Sequence, residues 1–150
     1  SVSGSNAFFP AAAVSADGRV SLAFDALTKP PASDPWQTGV QVYDAYYAQL
    51  LPTGAWSSPL RVSAASSNPD ASSYNDLTEQ FIGDYIGIAA GPTAAYPVWT
   101  DASHASRCGP VDDYRSAVYA GSKKAVAPNP DTDCRSSFGN TDSVVAVVNY

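Results

Sequence analysis

Asp84 carries the sharpest chemical signal in this chain. It lies in Phe81-Ile82-Gly83-Asp84-Tyr85-Ile86-Gly87-Ile88, an ionisable residue inside a strongly apolar run. A carboxylate is costly to bury unless it is paired or solvated. Asp84 is therefore expected either to serve a site or to accept backbone N–H bonds at a turn. In a site it would bind hydroxyls, hold a cation or exchange a proton. Tyr85, beside it, offers a hydroxyl and a stacking face, or belongs to the core. These two are the candidate catalytic residues. Asp25 and Asp101 each follow an aromatic strand end, in Phe24-Asp25 and Trp99-Thr100-Asp101. They read as one loop capped twice, or as a rim of substrate-binding carboxylates around a pocket. Trp36, in Ser33-Asp34-Pro35-Trp36-Gln37, either stacks on a pyranose ring or staples its own loop. Trp56 and Trp99 are expected in the core.

Other residues carry less. His104 is the single histidine, and no serine stands in the G-x-S-x-G elbow that a Ser-His-Asp hydrolase needs. Cys108 and Cys134 are 26 residues apart, in loop-like sequence, without C-x-x-C spacing. They are expected to form a disulfide, which in the chain-entropy account adds roughly 3 kcal/mol. The unpaired alternative is two thiols in a reducing cytosol. With the two cysteines paired, a lone histidine leaves no zinc set. Asp112-Asp113 and Asp131-x-Asp133 make calcium possible, since calcium takes oxygen ligands, but without EF-hand spacing they read as solvated loop charge. No other cofactor is implied.

Fourteen acidic against eight basic residues give a net charge of −6. Nucleic-acid backbones and anionic membranes both demand clustered lysine and arginine, so neither is an expected partner. No apolar run approaches the length that spans a bilayer. Abundant Ala, Ser, Thr and Pro, few lysines and the cysteine pair suit a secreted protein, with a signal peptide expected ahead of this start.

The elements that must position these residues read as strands. Twelve prolines and ten glycines punctuate the chain, and helix signals are scarce. Strands are expected at 9–14, 19–26, 40–50, 59–63, 81–90, 93–100, 114–120 and 144–149, giving an all-β fold. Asp17-Gly18 is the best hairpin turn. Several strands are apolar on both faces, as in sheets stacked on one another. Val144-Val145-Ala146-Val147-Val148 reads as an exposed edge that could pair. The halves echo each other: Phe24 and Trp99 are 75 residues apart, Asp25 and Asp101 76. Two blade-like units follow, about 8–65 and 78–150. Two four-stranded antiparallel blades would make an incomplete propeller ring, and a small β-sandwich is the alternative.

Asp17-Gly18-Arg19-Val20-Ser21-Leu22-Ala23-Phe24-Asp25, the Thr53-to-Ser63 stretch around Trp56, and Phe81-Ile82-Gly83-Asp84-Tyr85 followed by Val98-Trp99-Thr100-Asp101 resemble the blades of secreted bacterial sialidase-like propellers, the BNR or Asp-box repeat proteins. The resemblance covers about residues 8–122. It implies a propeller segment acting on or binding glycans, related to glycoside hydrolases; if its strand is an innermost one, Asp84 would face the central channel. Of the Asp box S-x-D-x-G-x-T-W only Trp56 is kept; Gln49, Leu51, Thr53 and Ala55 stand at the other positions. The family's arginine triad, Tyr/Glu nucleophile pair and acid/base aspartate have no matching context among five arginines and one glutamate, Glu79. Non-catalytic carbohydrate binding and a structural, assembling module are therefore the competing readings. Since two blades close no ring, further copies or another chain are expected partners beside a glycan.

Overall fold

Gly18 sets the first turn. Its φ of 82° lies where side-chain-bearing residues are strained, and the amide of Ser15 bonds the carbonyl of Arg19 across the reversal at 3.0 Å. The hairpin expected at Asp17-Gly18 therefore forms. In this computed structural model, which describes residues 6–27, 41–51, 53–72, 77–83 and 86–150, it joins β1 (Ala7–Val14) to β2 (Val20–Leu27). β3 (Tyr43–Gln49) and the short β4 (Leu60–Arg61) complete a four-stranded antiparallel sheet in the order β1-β2-β3-β4. A second antiparallel sheet holds β5 (Gly87–Ala90), β6 (Ala94–Asp101), β7 (Asp142–Val145) and β8 (Val148–Asn149). The described residues are mainly strand, as an all-β reading requires. The second sheet is only three strands wide, because β7 and β8 follow one another along the same edge of β6.

Register decides what each face buries. Asp25 pairs with Phe8 and Ala45, and Leu27 with Tyr43, so these side chains share one face of the first sheet. The other face carries Leu22, Phe24, Ala26, Tyr46 and Ala48, which pack together, with Phe24 and Tyr46 stacked at 5.7 Å. Burying Phe24 to 8% exposure contributes roughly 2 kcal/mol. The Asp25 face meets the second sheet. Tyr43 Oη donates to the carbonyl of Thr100 at 2.7 Å, and Ser67 Oγ donates to Asp101 Oδ1 at 3.3 Å while accepting from the Ala102 amide at 2.9 Å. At the far end, the hydroxyls of Ser21 and Tyr150 lie 3.3 Å apart. The seam between the sheets is thus closed by hydroxyls and carboxylates as well as by packing.

Several expectations are corrected. The stretch expected as a strand at 114–120 is helical to residue 119, the end of helix α1 (Gly109–Tyr119), with Ala120 as its C-cap. Pro110 fits its first turn, and Val111, Tyr114, Arg115 and Val118 recur at the helical period of three and four. The strand expected from 81 begins only at Gly87; Gly83, at φ 86°, where a β-carbon would lie 3.6 Å from Thr100 Oγ1, interrupts it. Trp56 is 48% exposed, in an isolated bridge with Leu50, whereas Trp99 is buried as expected. Asp112 is buried on α1 rather than solvated in a loop. Among the described residues no helix is long and apolar enough to cross a membrane.

The disulfide between Cys108 and Cys134 is present. It ties the start of α1 to the end of α2 (Pro130–Asp133) and packs with Val111, Phe138 and Leu77.

Candidate functional site

The end of the first sheet where β1 begins forms a small cleft of about 180 Å³. Phe8, Phe9, Leu27 and Tyr43 line one side; Gln41, Pro69, Gln80 and Ile82 complete it. The local cause is a bulge. Between Phe8 and Ala11, β1 carries one residue more than β2, and Phe9 takes φ 50°. It is the one non-glycine residue with positive φ among those described. A bulky residue held there is strained, and such strain persists where surrounding structure imposes it. The result is an aromatic group: Phe8 meets Phe9 edge-on at 5.0 Å and Tyr43 at 6.2 Å.

Two polar groups near this cleft lack hydrogen-bond partners although they are buried. One is Nε2 of Gln41, which lines it. The other is Oδ1 of Asp25, behind the wall on the same sheet face. Asp25 is 2% exposed, and burial, reinforced by the negative charge of Asp44, pushes its carboxyl up to about 7. Asp44 itself lies on the opposite face, satisfied by Arg61 at 2.7 Å, Ser63 at 2.9 Å and Ser66 at 3.2 Å. Burial also holds the Tyr43 phenol above its ordinary range; the charges of Asp25 and Asp101 push the same way, while a hydrogen bond with Ser67 opposes them.

Behind the other wall the buried carboxylates have arginines beside them, although Asp70 Oδ2, Asp112 Oδ1 and Arg107 Nε make no hydrogen bond. The strap of residues 77–82 is held by Arg115, whose guanidinium donates to the carbonyls of Leu77 (2.9 Å), Asp70 (2.8 Å) and Glu79 (3.1 Å). Gln80 donates to the carboxylate of Asp70. Arg107 lies 3.5 Å from Asp70 and 2.8 Å from Asp112. Burial raises both carboxyls, and the arginines oppose it.

The sequence candidates divide accordingly. Asp84, Tyr85 and Trp36 lie outside the described residues; the strap runs toward the first two. Asp25 and Asp101 meet across the seam through their shared neighbour Tyr43. They are not equivalent. Asp101 caps the turn after β6, accepting from the Ser103 amide at 2.6 Å and from Ser67, whereas Asp25 Oδ1 is unspent. His104 is exposed, 3.9 Å from Asp142. Among the described residues no three His, Cys, Asp or Glu side chains converge as a metal site. Sequence reasoning missed Phe8, Phe9, Gln41 and Gln80, which are ordinary residues until the bulge and the strap bring them together. Comparison with protein-family models, with curated proteins and with solved structures finds no match.

Proposed function

We propose that the chain is a secreted, sialidase-like propeller segment that binds glycans without turning them over, and that the cleft is a sugar subsite. The observation that carries this reading is the unspent Nε2 donor of Gln41 in an aromatic-walled cleft. Sugars present the complementary pair of surfaces: apolar C–H faces for Phe8, Phe9 and Tyr43, and hydroxyls for the Gln41 amide, whose Nε2 is unpaired but must turn out of its buried position to meet them. Among the described residues no carboxylate lines the cleft itself, so binding is favoured over glycoside hydrolysis, which needs two placed carboxyls. Saturation-transfer NMR with a panel of monosaccharides tests it. The wild type is expected to give signals that Gln41→Ala weakens at unchanged fold; a panel with no signal ends the reading.

A second reading, assembly with further copies, is favoured by the outer faces. In the second sheet Tyr96, Val98, Val145 and Val147 are exposed, and in the first Ala7, Pro10, Ala12 and Val14 are. Exposed apolar strips of this kind mark interaction surfaces. A second copy stacking its second sheet on the first sheet of its neighbour would continue the seam already present within one chain. Sedimentation equilibrium is expected to show a mass above 15.6 kDa that Val98→Lys returns to the monomer. A wild type that stays monomeric excludes it.

A further inference from the structure

Gln80 lines two clefts, not one. On one side of it lies the aromatic cleft; on the other is a second, larger hollow between the strap and α1, lined by Thr78, Glu79, Gln80, Arg115, Val118 and Tyr119. Tyr119 is 66% exposed at the last residue of α1. Resting on the glycan reading above, we infer that the two hollows form one groove for a neutral oligosaccharide, with the aromatic cleft as the first subsite and Tyr119 as the stacking platform of the next.

Three observations carry it. The groove wall is rigid where the hollows meet, because Arg115 bonds three strap-region carbonyls and Gln80 is bonded to Asp70. A binding wall fixed in advance loses little entropy when a ligand arrives. Next, Tyr119 is a large ring open to solvent beside hydrogen-bonding side chains, the combination that serves a molecule with apolar faces and polar rims. Finally, the charge of the second hollow selects among glycans. Glu79 supplies a carboxylate, and the one lining cation among the described residues, Arg115, has 0% of its side chain exposed and is engaged with backbone carbonyls. A sialylated or uronate chain would meet a negative group with no accessible cation to pair it, in a protein of net charge −6.

The test is a length and charge series. Glucose and N-acetylglucosamine, their β-1,4-linked tetramers and 3′-sialyllactose are titrated into the whole chain by isothermal calorimetry. The tetramer of one series is expected to bind at least about tenfold tighter than its monomer, and tighter than the sialylated sugar. Tyr119→Ala is expected to abolish the gain with length while leaving monomer binding as in the wild type. Tyr119→Phe, which keeps the ring, is expected to restore it. A monomer that binds as tightly as its tetramer, or a gain untouched by Tyr119→Ala, overturns the extended groove and leaves the glycan reading intact. Tighter binding of 3′-sialyllactose overturns the neutral preference alone. Absence of binding by any sugar in a folded protein overturns both readings.

Discussion

Asp25 and Asp70 are equally withdrawn from water, at 2% and 0% exposure, yet only Asp70 has cations within reach. Asp70 sits with Arg107, Gln80 and, through Asp112, the region of Arg115. Two arginines face two carboxylates there, so the charge is compensated in place. Asp25 has Asp44 and Tyr43 as its electrostatic neighbours and one oxygen without a hydrogen bond. The first arrangement builds a wall. The second leaves a buried oxygen beside a cleft with neither a hydrogen bond nor a cation, whereas the unbonded oxygens of Asp70 and Asp112 lie beside arginines. Buried charge is thus of two kinds in this molecule, and substitution separates them.

The largest effect is expected at Arg115. Arg115→Met keeps much of the volume but strands the carbonyls of Asp70, Leu77 and Glu79 and leaves Asp112 with Arg107 alone of its two arginines. Removing one partner of a buried ionic network typically costs about 3–5 kcal/mol. Urea unfolding should show that loss as a lower midpoint with an unchanged slope. A loss below about 1 kcal/mol would mean that the wall does not depend on this guanidinium.

Asp25→Asn is expected to act in the opposite direction, and increasingly as pH rises above 3.8. The folded protein holds the Asp25 proton up to about 7, while the unfolded chain releases it near the ordinary 3.8. The unfolded state therefore binds fewer protons between these values, and wild-type stability falls as pH rises through them. For this buried group the gap is worth roughly 4 kcal/mol. The asparagine variant has no such proton to lose. At pH 3 the two proteins should unfold at similar urea concentrations; at pH 8 the variant should be the more stable by up to that amount. Asp70 and Asp112 are also raised, but both proteins share them, so the difference isolates Asp25. Parallel pH profiles would show that Asp25 is compensated after all.

The comparison also explains what could be read from sequence. Asp17-Gly18 gave a turn because only local geometry was needed. Most strands of the first sheet follow β-branched and aromatic runs, and β3 lies within the expected 40–50. The stretch 114–120 misled because Ala117-Val118-Tyr119-Ala120 is locally strand-like, while the helix is stabilised by tertiary burial of a charged residue, Arg115. The spacing of Val111, Tyr114, Arg115 and Val118 was the available signal, and it emerges only if an arginine is admitted to the buried face. Asp25 and Asp101 stood out by repetition, but repetition hides their difference. One is capped by Ser67 and Ser103, partners distant or adjacent in ways the echo does not encode. Phe8, Phe9, Gln41 and Gln80 converge through a bulge and a strap, so no linear spacing announces the cleft.

The smallest effect is the most discriminating. Tyr43→Phe removes one hydroxyl that donates to Thr100 across the seam, and should cost about 1 kcal/mol. Its value lies in pairing it with the other two variants. Tyr43 and Asp25 act on each other electrostatically on one sheet face, whereas Arg115 bonds the carbonyls of Asp70, Leu77 and Glu79. Neighbouring groups couple by about 0.5–3 kcal/mol in double-mutant cycles, and separate ones add within about 0.5. Urea unfolding at pH 8 should therefore give a non-additive cycle for Tyr43→Phe with Asp25→Asn and an additive one for Tyr43→Phe with Arg115→Met. Coupling in the second cycle would merge the two buried clusters into one network. The unspent oxygen of Asp25 would then belong to the wall and not to the cleft.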